Sequence, residues 1–155
     1  ERRNKIMKAL ICSDSHQRLD YFQQVMELGE PEVVIFAGDH SVDALNISLM
    51  HHKIPFAYVR GNTDYDDDDA KDVRIFDLMG RKVFLTHGHL YGVKTNLNEL
   101  EKKAREENAD ICIFGHTHRE YLVEKDGTTY VNPGALQDKK YVIYDGRDFI
   151  QKVLD

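Results

Sequence analysis

Ala9-Leu10-Ile11-Cys12-Ser13-Asp14-Ser15-His16 is the stretch whose reading decides the fold. Four apolar residues bounded by polar ones are too few for a helix and suit a strand buried on both faces. The strand breaks into a turn that carries a carboxylate and an imidazole. The pattern then recurs. Val33-Val34-Ile35-Phe36-Ala37 runs into Gly38-Asp39-His40, and Phe56-Ala57-Tyr58-Val59 is followed by Gly61-Asn62-Thr63-Asp64. Val83-Phe84-Leu85 runs into Thr86-His87-Gly88-His89, and Ile111-Cys112-Ile113-Phe114 into Gly115-His116-Thr117-His118. Between the strands lie helical patterns. Leu19, Phe22, Val25 and Met26 recur at helical spacing, with Gly29 as a stop, and a short helix covers Val42 to Met50. Buried strands separated by helices predict an α/β (α+β) fold whose sheets are covered on their outer faces.

The remaining chain reads as strands and one long helix. Val73 to Leu78 and Lys82 to Thr86 pair around Met79-Gly80. Asn96 to Asn108 is the clearest helix, with Asn96 as cap and Glu99 reaching back to it. Glu99 with Lys103 and Glu101 with Arg105 are expected as surface ion pairs. Two hairpins follow: Glu120 to Glu124 with Thr129 to Asn132, then Tyr141 to Tyr144 with Phe149 to Val153.

Composition narrows the function classes. The 155 residues suit a single domain over 1–155, with residues 1–6 expected as an N-terminal extension and Met7 as the start. Hydrophobic residues at 41% and charged residues at 31% belong to an ordinary globular chain. A net charge of −6 argues against coating nucleic acid or anionic lipid through bulk charge. No apolar run approaches the ~18 residues of a membrane span. Cys12 and Cys112 form no disulfide framework and sit in apolar runs. They read as core, and fit a reducing compartment, the cytoplasm.

If the five strands run roughly parallel, their turns meet on one rim, where open α/β sheets bind ligands. Asp14, His16, Asp39, Asn62, His87, His116 and His118 are oxygen and imidazole donors too numerous for one ion. Two ions sharing a carboxylate would use them. His51-His52 reads as the end of a helix, where partial positive charge suits the dipole. Asp66 to Asp69 reads as a solvated acidic loop rather than a calcium site. His40 and His89 stand beside the donor set, as phosphate ligands or proton carriers.

Asp14-x-His16, Gly38-Asp39, Gly61-Asn62-x-Asp64, His87-Gly88-His89 and Gly115-His116-x-His118, in this order, resemble the motifs of the calcineurin-like metallophosphoesterases. The small single-domain bacterial and archaeal branch is the nearest, and Asn132-Pro133-Gly134 resembles a further element of it. The likeness runs from Lys8 to about Ala135. It implies a four-layer αββα sandwich of two mixed sheets flanked by helices. It also implies one ion on Asp14, His16, Asp39 and His118 and a second on Asp39, Asn62, His87 and His116, with Asp39 bridging. The implied activity is hydrolysis of phosphodiesters, and of phosphomonoesters as a second class, by metal-bridged hydroxide. Asn62, Asp64 and His89 would be catalytic, and Asn62, His40 and His89 would bind substrate. Asp64 would orient a ligand imidazole. The metals would be divalent: manganese first, with iron, nickel, zinc or magnesium as alternatives. Small phosphate esters are the implied partners, without membrane or nucleic acid, and a homo-oligomer is open through exposed strand edges. Two positions depart from the pattern. Thr63 stands where many members carry a histidine acid, and Ala135 where a serine often follows Asn-Pro-Gly. A non-catalytic interaction scaffold of the same fold, as in the retromer subunit, is the rival reading; it would be expected to lose ligand histidines, and none is missing.

Overall fold

The protein is described by a computed structural model covering residues 7–64 and 70–155. The Asp66 to Asp69 run lies outside the described residues. The apolar runs become strands: β1 (Ala9–Cys12), β2 (Val33–Phe36) and β3 (Phe56–Tyr58). Next come β4 (Val73–Leu78), β5 (Arg81–Thr86), β6 (Ile111–Ile113), β7 (Tyr121–Lys125) and β8 (Thr128–Asn132). The chain closes with β9 (Lys140–Tyr144) and β10 (Phe149–Val153). Three α-helices are interspersed among the described residues: α1 (Leu19–Gly29), α2 (Ser41–Met50) and α3 (Asn98–Glu106).

The strands form two five-stranded mixed sheets, ordered β10-β9-β1-β2-β3 and β4-β5-β6-β8-β7. In the first, β1, β2 and β3 are parallel, with Ile11 level with Ile35 and Ile35 with Ala57. In the second, β5, β6 and β8 are parallel. Side chains alternate across a strand, and the burial follows that period. Ala9, Ile11 and Ile35 of the first sheet meet Val83, Leu85, Ile111, Ile113 and Val131 of the second in one central cluster. The alternate residues Leu10, Cys12, Val34 and Phe36 turn outward onto Phe22, Val25 and Met26 of α1 and Ala44 and Ile47 of α2. Phe84, Cys112 and Tyr130 turn outward onto Leu100 and Ala104 of α3. The expected αββα sandwich therefore holds.

Local details differ from the sequence reading. Helix α1 ends on Gly29, yet it is Glu30 that adopts the left-handed conformation, at φ 45°. Helix α3 starts later than expected: Asn96 Oδ1 accepts the Asn98 N–H at 3.0 Å. No side-chain cap is made by the residue that precedes the helix, Leu97. The expected ion pairs on α3 are replaced. Lys103 pairs with Glu107 at 3.3 Å, and Glu101 is buried and receives Lys125 from β7 at 2.9 Å. A carboxylate on the inward side of the helix finds a cation across the sheet rather than one turn along.

Candidate metal centre

The carboxyl ends of β1, β2 and β3 and of β5 and β6 converge between the sheets, and each delivers its polar turn there. The turns are tight. Asp14, His16, Asp39, His40, His116 and His118 all have positive φ, between 45° and 72°, a conformation that costs a non-glycine residue about 1–3 kcal/mol. Packing around the turns holds it. Gly61 sits against Asp39, where any Cβ would collide with the carboxylate. At Gly115 a Cβ would lie 2.6 Å from Ser13 Oγ and 2.8 Å from Asp14 Oδ2.

Two groups of ligand atoms result: Asp14, His16 and His118, and Asp39, His87 and His116, the atoms of each group lying within 4.8 Å of one another. His118 Nε2 is 3.3 Å from Asp14 Oδ1. His87 Nε2 is 3.4 Å from Asp39 Oδ2 and 3.8 Å from Asp14 Oδ1, which joins the groups. His16 stands further back, its Nε2 3.9 Å from Asp14 Oδ1 and 4.0 Å from Asp39 Oδ2. Asn62 Oδ1 approaches His87 Nε2 to 3.1 Å, and His116 Nδ1 approaches it to 3.2 Å. Two donors bound to one ion at about 2.1 Å stand roughly 3.0–3.4 Å apart, the spacing of the His118–Asp14, His87–Asp39, His87–Asn62 and His87–His116 pairs, while His16 lies wider.

The donor chemistry fits divalent cations. Asp14 Oδ1 and His16 Nε2 are buried without a hydrogen-bond partner, which is costly unless something else satisfies them. His87 Nδ1 donates to the Ala37 carbonyl at 2.7 Å. That bond leaves the Nε2 lone pair facing the Asn62 amide oxygen, the Asp39 carboxylate and the His116 nitrogen. Lone pairs so directed repel unless a proton or a cation lies among them.

Burial pulls the His87 imidazole down, but its hydrogen bond to Asp39 and the charges of Asp14 and Asp39 outweigh burial and raise it. Burial pushes the Asp39 carboxyl up, yet His87 and the Thr63 backbone N–H hold it well below the usual carboxylate range. Burial, then the positive charges of His87 and Lys94, push His116 down to about 4. The Asp14 carboxylate, 3.3 Å from His118 Nε2, raises His118 against the effect of burial.

The flanking residues divide. His40 stands near His16, ring centroids 5.8 Å apart. His89 stands near His87 at 5.5 Å and His116 at 6.1 Å, and burial followed by the His87 charge lowers its pKa. Asp64 is placed differently from expectation. Its Oδ1 accepts the His40 and Ser41 N–H groups at 2.8 and 3.0 Å, and its Oδ2 accepts that of Gly61 at 2.9 Å. It ties the Asn62 turn to the start of α2 and orients backbone rather than an imidazole, because three N–H groups at the turn and the helix start donate to its oxygens. His51 ends α2 as expected and meets Gln23 Oε1 at 3.0 Å. Cys12 and Cys112 are buried and unpaired.

Three further residues brace the ligand turns. Asp43 accepts Ser15 Oγ at 2.6 Å and the Gln17 N–H at 2.7 Å, bracing the Asp14–His16 turn from α2. The Gln137 amide lies 3.4 Å from His118 Nδ1. Asn132 Nδ2 donates to the Gly115 carbonyl at 3.1 Å and to Thr117 Oγ1 at 3.0 Å, fixing the His116–His118 turn. Of these, only Asn132 stood in a recognisable motif.

The family model of the calcineurin-like phosphoesterase superfamily domain matches residues 7–145. The chain belongs to that superfamily. This calcineurin-like phosphoesterase is 35% identical over 133 residues to the probable metallophosphoesterase YsnB of Bacillus subtilis (strain 168), covering 84% of this chain and 76% of that protein. It is 29% identical over 147 residues to the phosphodiesterase MJ0936 of Methanocaldococcus jannaschii, covering 83% of each. Its fold is also that of zinc-complexed Vps29 from Entamoeba histolytica, with a TM-score of 0.68 at 19% identity over 96% of this chain and 99% of that one. The calcineurin-like phosphoesterase is thus a hydrolase of phosphoesters, with candidate ligands for divalent metal where its strands converge. Among the described residues no helix is long and apolar enough to cross a membrane.

Proposed function

We propose that the chain is one catalytic domain with a binuclear centre that hydrolyses small phosphodiesters, and phosphomonoesters as a second class. The observation that carries this reading is the pair of ligand groups joined at His87, with Asp14 Oδ1 buried among imidazoles and without a hydrogen-bond partner. Asp14, His16, Asp39 and His118 would hold one ion and Asp39, Asn62, His87 and His116 the other, with Asp39 shared. When bound, two divalent ions supply Lewis acidity and a lowered water pKa for displacement at phosphorus. The mixed imidazole and oxygen set suits manganese, with iron, nickel, zinc or magnesium as alternatives.

The chain's own residues do the rest. His87 keeps its Nε2 lone pair aimed inward because Nδ1 is spent on Ala37. Asp39 is fixed by the Thr63 N–H at 3.0 Å. Asn62, His40 and His89 bind the phosphate oxygens from the two flanks of the centre, and Asp64 holds the Asn62 turn in register. Thr63 is a poor proton donor at neutral pH, so esters with good leaving groups are favoured. Unpaired buried cysteines suit a reducing compartment such as the cytoplasm.

The scaffold reading draws on the likeness to Vps29. Because the Vps29 structure named above holds zinc, metal binding alone does not separate the two readings; turnover does. Bis(4-nitrophenyl) phosphate, 4-nitrophenyl phosphate and single-stranded DNA are assayed with added manganese and with chelator. The expected outcome is diester hydrolysis abolished by chelator and reduced on the order of 100-fold or more in Asp39→Asn. Undiminished turnover in that variant would refute the ligand assignment.

A further inference from the structure

Beside the ligand cluster lies a groove of about 540 Å³, within the range of small-molecule sites. Val93, Leu97, Phe114 and Tyr121 line it. The Phe114 and Tyr121 rings meet edge to face with centroids 6.0 Å apart; Phe114 is buried and holds Tyr121, which stays half-buried and presents ring surface to the groove. The groove adjoins the centre at three points. Phe114 leads through Gly115 into His116, and Thr117 lines the groove between His116 and His118. Val93 packs on Gly88, between His87 and His89, where an added Cβ would lie 2.9 Å from Val93 Cγ2.

Two exposed cations, Lys94 and Arg119, line the same groove. Neither makes an ion pair among the described residues. The one acidic residue of the lining, Glu120, is taken by Lys140 at 3.1 Å. In a chain of net charge −6, two such cations beside an aromatic wall locally reverse the sign of the surface.

We propose that this groove holds the retained arm of the phosphodiester, and that the arm is nucleotide-like: a flat aromatic ring carrying a further phosphate. The ring packs on the half-buried Tyr121 and Leu97, which rest on the buried Phe114 and Val93, while Lys94 and Arg119 take the further phosphate. The assignment rests on the phosphodiesterase reading above. Hydrolysis adds water across one P–O ester bond; the leaving alcohol departs with a proton, and the arm keeps the phosphate as a monoester.

The test is binding first. Thymidine 3′,5′-bisphosphate and inorganic phosphate are titrated calorimetrically into the manganese-supplied protein, into the double variant Lys94→Glu/Arg119→Glu and into Tyr121→Ala. The bisphosphate should bind wild type more tightly than inorganic phosphate does, and each variant should bind it about tenfold more weakly. Inorganic phosphate should bind all three alike. A bisphosphate that binds no better than inorganic phosphate, or equally to all three proteins, overturns the assignment. So does a short oligothymidylate that binds tenfold tighter than the bisphosphate, since that marks a polymer track. Turnover gives a second reading, with 4-nitrophenolate as the leaving group throughout. Thymidine 5′-(4-nitrophenyl phosphate) should exceed methyl 4-nitrophenyl phosphate in kcat/KM, and Tyr121→Ala should erase the difference while sparing the methyl ester. Failure of wild type to cleave either ester would tell against the phosphodiesterase reading, and the binding comparison would still decide the groove.

Discussion

At the scale of single residues, the centre is a contest between protons and cations for the same lone pairs. His87 and His118 are raised above the ordinary histidine value in the metal-free protein, whereas His116 lies at about 4. The sign follows. Near pH 6 the first two carry protons that a metal must displace, and His116 carries none. Metal uptake should therefore release protons at pH 6, fewer at pH 8, and apparent affinity should rise across that interval. Titration of manganese in two buffers of different ionisation enthalpy reads the proton count directly; a count independent of pH would contradict the assignment. Thr63 supports a second expectation. With no acid at that position, rates should fall steeply as the leaving group becomes more basic, and Thr63→His should flatten the dependence. A series of aryl methyl phosphates of graded phenol pKa measures the slope, and equal slopes would place the leaving-group acid elsewhere. The residues that meet in the two ligand groups were legible from the sequence because each follows a buried strand. Asp43 and Gln137 were not, since the groups they brace come from distant segments and no spacing announces them.

The turns are the elements on which the site depends. Gly61 is the sharpest case: its Cα passes so close to Asp39 that a methyl group has no room. Gly61→Ala should displace the Asp39 carboxylate or the Asn62 turn and weaken manganese binding at least tenfold, while far-ultraviolet circular dichroism stays that of wild type. Unchanged calorimetric affinity would show that the turn tolerates the shift. Strands were read from the sequence to within a residue or so, because four or five apolar residues between polar turns leave few alternatives. The start of α3 was read less well. Asn96 closes a local turn with Asn98 instead of a capping box. Glu101 left its expected neighbour Arg105 for Lys125, since burial by the second sheet outranks a surface pairing.

Over the whole molecule, the site exists because two sheets each contribute parallel strands whose carboxyl ends open on the same edge of the sandwich. Donors from residues 14, 39 and 62 belong to one sheet and those from 87, 116 and 118 to the other. Sheet order was not legible: nothing in the sequence says that β8 slots between β6 and β7, or that β9 returns to β1. Those placements are set by long-range packing of alternate side chains in the central cluster. The account turns on this convergence holding two ions. Anomalous diffraction at the manganese edge from crystals grown with manganese measures it most directly. Two peaks are predicted, one enclosed by Asp14, His16, Asp39 and His118 and one by Asp39, Asn62, His87 and His116. A single peak, or none between the two sheets, would contradict it.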